Sequence, residues 1–337
     1  MDLVLSNSAI YGLISQTDFF EKDIANKENT NKYYVIHKGD FVYNPRKSMY
    51  APYGPINILE QYDVGIVSPL YNCFKIEDKY SMFLKWYFKS TKWHRYVYIH
   101  GDQGARGDRV SIKDEIFFNM PIYIPNELER NKIITLLNIF SRKIELLEAK
   151  ISILKKYKKG QIQKLIRKTV FTDYYRLSDV CKIDTGKLDA NQMVADGKYK
   201  FFTCSRDDFY INHYAFDCEA ILVSGNGDVG FSKYFKGKFN AYQRTYVLHN
   251  FLVNAKFVKI IFDNNVNKIV RKETNIGAMP YIRKSTFDKV LIPKIKKESI
   301  EYIVSIYDSL NYKIDSLEAK LSLLKSFCHQ LLNDMFI

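Results

Sequence analysis

The chain has 337 residues, enough for two domains of ordinary size with connecting helices, and 47% hydrophobic with 15% aromatic residues excludes a disordered protein. A net charge of +14 points to a polyanionic partner or an anionic surface. No apolar run approaches the ~18 residues needed to span a bilayer, Met1-Asp2-Leu3-Val4 does not open a signal peptide, and the five scattered cysteines (73, 181, 204, 218, 328) form no CxxC pair. They read as reduced thiols of a cytoplasmic protein, with no metal site expected.

In chain order, residues 1–125 alternate short aromatic and β-branched runs with Gly, Asn, Asp and Pro. Tyr33-Tyr34-Val35-Ile36 and Phe41-Val42-Tyr43 read as strands, and Ser81–Lys92 as a helix. A long helix then starts after Pro125-Asn126, with Asn126 as N-cap and Glu127 and Glu129 in the dipole-favoured first turn. Its apolar residues Ile133, Leu137, Phe140, Ile144, Leu147, Ile151 and Leu154 keep strict 4-3 spacing, a narrow coiled-coil seam. Taking residues 129–167 as helical gives a rod of ~58 Å, although Lys158, Gly160 and Gln161 interrupt the seam near its end. Residues 171–295 return to strand and turn patterns, with strands at Ala220–Val223 and Tyr246–Leu248 and a helix over Asn254–Arg271. Beyond Pro293 a second seam runs through Ile303, Tyr307, Leu310, Ile314, Leu317, Leu321, Leu324, Cys328, Leu331 and Met335.

The two long helices are copies. Residues 143–155 and 313–325 share nine of thirteen positions without a gap, a frame of 170 residues. Gly107, Ile112, Lys113 and Phe117 meet Gly277, Ile282, Arg283 and Phe287 in the same frame. A duplicated protein buries two equivalent seams most simply against each other. The expected class is α+β: two β-rich domains separated by two long helices paired as an antiparallel coiled coil, with a pseudo-two-fold internal repeat. The segments are 1–125, a first recognition domain; 126–170, a central helix; 171–295, a second recognition domain; and 296–337, a distal helix.

Three motifs invite a catalytic reading. Gly225-Asn226-Gly227-Asp228-Val229-Gly230 is a literal GxGxxG. It is followed by a strand-like Phe231–Lys236 run ending in a turn at Gly237 rather than by a helix, so a glycine-rich hairpin loop is the better reading. Asn44-Pro45-Arg46-Lys47 shares only its first two residues with the Asn/Asp-Pro-Pro-aromatic signature of amino-methyltransferases, and a basic turn after a strand fits it better. No Ser/His/Asp order, HExxH or PD…(D/E)xK nuclease arrangement is present. No catalytic residue is therefore assigned.

The remaining chemistry is basic and amide-bearing loops. Asn44, Arg46 and Lys47 share one turn, and Gln103, Arg106 and Arg109 another. In the second domain Ser205, Arg206, Asn226, Gln243 and Arg244 are comparable. Arg pairs bidentately with guanine, Asn or Gln with adenine, and Lys mostly meets phosphate, so these are candidate DNA-binding residues. The lysine-rich tract Lys155–Lys168 is a solvated helix face, or one lying along a nucleic-acid backbone or an acidic partner subunit.

The whole order of elements resembles the specificity subunit of type I restriction–modification systems. The resemblance is carried by the duplicated Leu-Glu-Ala-Lys helices, by the runs ending at Pro125 and Pro293, and by His37–Arg46, Gly65–Tyr71 and Arg176–Lys187. It implies two target-recognition domains, each reading one half of a bipartite double-stranded DNA site. It also implies a spacer of paired helices that docks two methyltransferase subunits carrying S-adenosylmethionine, with a restriction nuclease-translocase subunit completing the complex. This chain would itself be non-catalytic and hold no cofactor. The seam expected to form the spacer is Ile133, Leu137, Phe140, Ile144, Leu147, Ile151 and Leu154 with Ile303, Leu310, Ile314, Leu317, Leu321, Leu324 and Leu331. One departure is expected: Leu3-Val4-Leu5-Ser6-Asn7 corresponds to Phe201–Ser205, so the first domain lacks the opening strand and Thr-Gly-Lys turn of the second. That departure leaves one alternative, a truncated or silent cassette that binds partner subunits without reading DNA; a stand-alone DNA methyltransferase is the separate enzyme alternative.

Overall fold

The structure is a computed structural model that describes residues 3–19, 32–102, 107–171, 173–273 and 281–336. Gln103 and Arg106 lie outside the described residues. The chain forms two compact units, residues 1–150 with 317–337 and residues 151–316.

In the first unit, β1 (Val4–Ser8) pairs antiparallel with β2 (Gly12–Ser15), which leads into one helical turn, α1 (Gln16–Phe19). β3 (Tyr34–His37), β4 (Phe41–Tyr43), β5 (Ile56–Ile58), β6 (Val64–Val67) and β7 (Asn72–Phe74) follow. They make one sheet of order β2-β1-β6-β3 and a second of order β5-β4-β7. Period-2 patterning places Leu5, Ile36, Val42 and Val67 in one core, while Phe41 and Tyr43 face another. The helix expected over Ser81–Lys92 is instead α2 (Asp78–Tyr87) and α3 (His94–His100). The break falls where Ser90 Oγ donates to the Tyr87 carbonyl (2.6 Å) and Trp93 Nε1 donates to the Phe88 carbonyl, which side-chain competition for backbone acceptors favours. The short α4 (Asp114–Phe118) buries Phe117 against Tyr43, ring centroids 5.2 Å apart.

Helix α5 (Glu127–Lys168) is continuous through Gly160, about 63 Å long. Asn126 Oδ1 accepts from the Glu129 amide at 3.0 Å, the cap expected from Pro125-Asn126. In the second unit β8 (Tyr174–Arg176), α6 (Leu177–Val180), β9 (Lys182–Thr185), a 3-10 turn at Ala190–Gln192, β10 (Tyr199–Phe202), β11 (Phe209–Ile211), β12 (Phe216–Ser224), β13 (Ser232–Ala241) and β14 (Thr245–His249) precede α7 (Ala255–Glu273). The main sheet has the order β11-β10-β13-β12-β14-β9. β13 does not end at Gly237, as the sequence suggested; that glycine takes φ +130° inside the strand, which resumes to Ala241. α8 (Lys284–Phe287), β15 (Leu291–Pro293) and α9 (Lys297–Met335) complete the chain. β15 pairs with β8, and the Lys294 amide donates to the Asp173 carbonyl, so both ends of this domain meet.

The units share a plan. β10 pairs antiparallel with β11 and parallel with β13, as β1 does with β2 and β6. β12 pairs with β13 and β14, and its counterpart in the first unit is divided into β3, paired with β6, and β4, paired with β5 and β7. The long helices pack by the same rule. In the first unit Ile133 and Leu137 of α5 share a core with Leu332 and Phe336 of α9. In the second, Ile303 and Val304 of α9 share one with Ile162 of α5. The 170-residue frame relates Ile133 to Ile303 and Ile162 to Leu332. Within each unit the helices run antiparallel. Phe140 meets Phe327 and Glu148 pairs with Lys325 in the first, and Lys158 donates to Asn311 Oδ1 (2.6 Å) in the second. Every expected seam residue is buried or half-buried. Lys158, which interrupts the apolar seam, is accommodated by that bond and by the Tyr307 ring, 5.1 Å away.

Candidate nucleic-acid interface

At one end of the first unit's sheets, three loops converge on a cleft of ≈ 310 Å³. Ser6, Asn7 and Ser8 come from β1, Asn44, Pro45 and Arg46 from the β4–β5 loop, Ser68, Leu70 and Tyr71 from the β6–β7 loop, and Arg109 from the segment before α4. Arg46 and Arg109 are brought together by a backbone bridge, with the Lys47 amide on the Asp108 carbonyl and the Val110 amide on the Pro45 carbonyl, both 2.8 Å. Two guanidiniums therefore line one concave, hydroxyl-rich wall, the chemistry of an anion site.

The floor of the cleft is a buried amide network. Asn7, 4% exposed, donates from Nδ2 to the Val42 carbonyl (2.7 Å) and accepts at Oδ1 from Asn57. Asn57 also donates to the Ser8 carbonyl (3.0 Å), and Lys89 Nζ donates to its Oδ1. Asn44 spends its amide internally, on the Asn7 carbonyl and the Arg46 amide. These two bonds tie the Asn44 side chain to the wall of the cleft. Burial pushes the Tyr71 phenol above its ordinary value, against the pull of Arg46 and Arg109. Asn7 and Asn57 were not singled out from sequence; an asparagine inside an otherwise apolar strand pattern was the available signal.

In the second unit the corresponding loops also meet at one end of the sheet. The segments after β10, between β12 and β13, and between β13 and β14 are joined through the Arg244 carbonyl, which accepts from the Gly225 amide (3.0 Å) and from the Cys204 thiol (3.3 Å). Ser205, Arg206, Asn226, Gln243 and Arg244 all belong to these loops. The glycine-rich segment is the β12–β13 hairpin connection, with Gly227 and Gly230 at φ +63° and +80°, so it has the left-handed backbone of a tight turn.

Here the cations are matched by acids. Arg206 pairs with Asp228 and lies over the Phe231 ring, Gln243 donates to Asp189 Oδ1 (2.7 Å), and Ser205 Oγ donates to Asp207 (2.8 Å). Lys200 and Lys233 converge on Asp208, whose carboxyl the Lys200 hydrogen bond holds below its usual range. Asn226 is half-buried and Arg244 exposed. Such a surface sets cations against carboxylates, where the first unit's cleft sets Arg46 and Arg109 among hydroxyls, with Asp108 4.0 Å from Arg109 Nε.

Among the described residues no group of His, Cys, Asp or Glu is arranged to hold a metal, and no helix is long and apolar enough to cross a membrane. α5 carries a second stripe beside its buried seam: Leu136, Ile139, Leu146, Ile153 and Tyr157 are exposed, with Lys143 and Lys150 at the intervening heptad positions and Lys132 at the one before.

A duplicated β-rich domain and long helix, with converging loops at the end of each sheet, define a modular protein built twice on one plan. Residues 172–326 match the family model described as the type I restriction modification DNA specificity domain. Through that stretch the chain is similar to the DNA specificity domain of type I restriction–modification systems. A stretch of 145 residues is 38% identical to the type I restriction enzyme EcoDI specificity subunit of Escherichia coli, covering 43% of this chain and 32% of that protein. The match thus spans about a third of the length of the curated relative. The fold is shared with the type I restriction–modification S subunit from M. genitalium (TM-score 0.59, 17% identity, 93% of this chain and 87% of that one). It is also shared with a chain from a structural study of type I R-M complex assembly and conformational transition (TM-score 0.53, 15% identity, 89% and 81%).

Proposed function

We propose that the protein is the DNA-reading subunit of a type I restriction–modification complex, with each unit reading one half of a bipartite duplex site. The observation that carries this reading is the repetition of one loop set at the same sheet end in both units, with different side chains in each. In the first unit Arg46, Lys47 and Arg109 supply phosphate contacts and guanine-directed forks. In the second, the Arg206–Asp228 and Gln243–Asp189 pairs and Arg244 present a mixed pattern suited to base edges. The segments 1–125 and 171–295 act as the two readers, and the helical segments 126–170 and 296–337 as the spacer.

Two methyltransferase subunits dock on the paired helices, with the exposed stripe of α5 as part of their seat, and a nuclease-translocase subunit completes the assembly in the cytoplasm. S-adenosylmethionine belongs to the methyltransferase subunits, and this chain holds no catalytic residue.

Co-expressed with its methyltransferase subunits, the chain should direct methylation to one bipartite sequence. Replacing Arg46 and Arg109 by Ala should weaken DNA binding by about 100-fold or more, at ~1.5–3 kcal/mol for each charged contact. Methylation with no sequence preference, read by methylome sequencing, would sink the proposal.

A further inference from the structure

The β4–β5 loop of the first unit is far longer than its counterpart in the second, residues 44–55 against 225–231. It is also a built object. Ser48 and Ala51 exchange backbone hydrogen bonds (3.0 and 3.2 Å), Ser48 Oγ accepts a further bond from the Ala51 amide, and the Gly54 amide donates to the Ala51 carbonyl. The base is closed by the Asn44 amide on the Pro55 carbonyl and by the two bonds to the Asp108–Val110 segment. Tyr53 is clamped, its carbonyl accepting from Tyr43 Oη (2.8 Å) and its ring 4.8 Å from His94. Gly54 sits at φ +82°, where a Cβ would lie 2.0 Å from the Asn44 carbonyl oxygen, so the chain doubles back at a spacing only glycine allows.

The tip of this finger is Met49-Tyr50, 84% and 68% exposed, while Arg46, Lys47 and Arg109 ring its base. A backbone this constrained that fixes a bare Met-Tyr pair above a cationic collar matches what an unstacked DNA step requires. Cations take the flanking phosphates, and an apolar wedge replaces lost base stacking. The second unit's short glycine loop has no such tip.

We infer that Met49-Tyr50 is a wedge that inserts at one base step of the half-site read by the first unit and opens it. Unstacking is easiest at TA and CA/TG steps, so that half-site carries one of them, recognised through deformability rather than through base-edge contacts. The inference rests on the DNA-reading function proposed above.

The test uses the full chain to select duplexes from a randomised pool, then probes the selected duplex with permanganate, which attacks unstacked thymines. The wild type should produce one hyperreactive thymine step. M49A/Y50A should abolish it and weaken binding about tenfold, and M49L/Y50F should preserve it. Equal thermal unfolding of the three proteins shows that the exposed substitutions leave the fold intact. Selective binding with no hyperreactive step, or hyperreactivity that survives M49A/Y50A, overturns the wedge and leaves the DNA-reading function standing. A pool that yields no enriched sequence overturns both.

Discussion

His94 shows how a single side chain ties stability to solution conditions. Its ring lies between Tyr53 and Trp93, centroids 4.8 and 4.7 Å away, and burial lowers its pKa to about 4. The fold thus favours neutral imidazole, and the unfolded chain takes up the proton more readily. The stability this contributes is fully present above the unfolded value of about 6.5 and is lost as pH falls from there toward 4. The ring is half-buried, which reduces the effect to about 1–2 kcal/mol. Urea unfolding at pH 7 and pH 5 should show a smaller pH effect in His94→Phe than in the wild type. Identical pH dependence in the two proteins would remove His94 from the account. None of this was legible in the sequence, where the histidines read as isolated. One wall of the cage, Trp93, adjoins His94 in the chain, but the other, Tyr53, lies 41 positions before it.

At the level of elements, the long helices were readable because a heptad is a local pattern, repeated without a gap 170 residues later. Strict 4-3 spacing picked out residues that the structure buries or half-buries, and Asn126 caps α5 as its position implied. What the pattern did not separate was the neighbouring stripe. Leu146 and Ile153, 54% and 67% exposed, lie one position before Leu147 and Leu154 of the buried seam. Exposed apolar positions at coiled-coil spacing invite another helix. Leu146→Asp with Ile153→Asp should change the thermal midpoint of the chain by no more than a degree or two, since surface changes fall within about 0.5 kcal/mol. The same double variant should reduce co-purification with methyltransferase subunits at least tenfold. Full retention of those subunits would move the docking site elsewhere. The cleft was legible only in part for the opposite reason. Arg46 and Arg109 were candidates from composition, but their meeting depends on a backbone bridge between residues 63 positions apart, and that of Asn7 with Asn57 on a side-chain contact across 50 positions.

For the whole molecule, the proposed function together with the duplication makes recognition divisible, and the second domain has the geometry for it. Residues 173 and 294 are neighbours: β8 lies against β15, Lys294 pairs with Asp173, and α5 and α9 lie just outside this closure. The intervening segment carries its own six-stranded sheet, and the recorded hydrogen bonds of Ser205, Arg206, Gln243 and the Arg244 carbonyl stay within it. Residues at the helix contacts, Phe257, Phe287 and Ile292 among them, form a core with Ile162 and Ile303 that a related domain must also satisfy. A segment with adjacent ends is exchanged with little strain on its surroundings. Replacing residues 171–295 by the equivalent stretch of a type I specificity subunit, with those contact positions retained, should change one half of the methylated sequence and leave the other half and the gap unchanged. Methylome sequencing of cells carrying the exchanged chain with its methyltransferase subunits reads both halves at once. A change in both halves would mean that base readout is distributed across the units, and that the repeated loop sets are not independent readers.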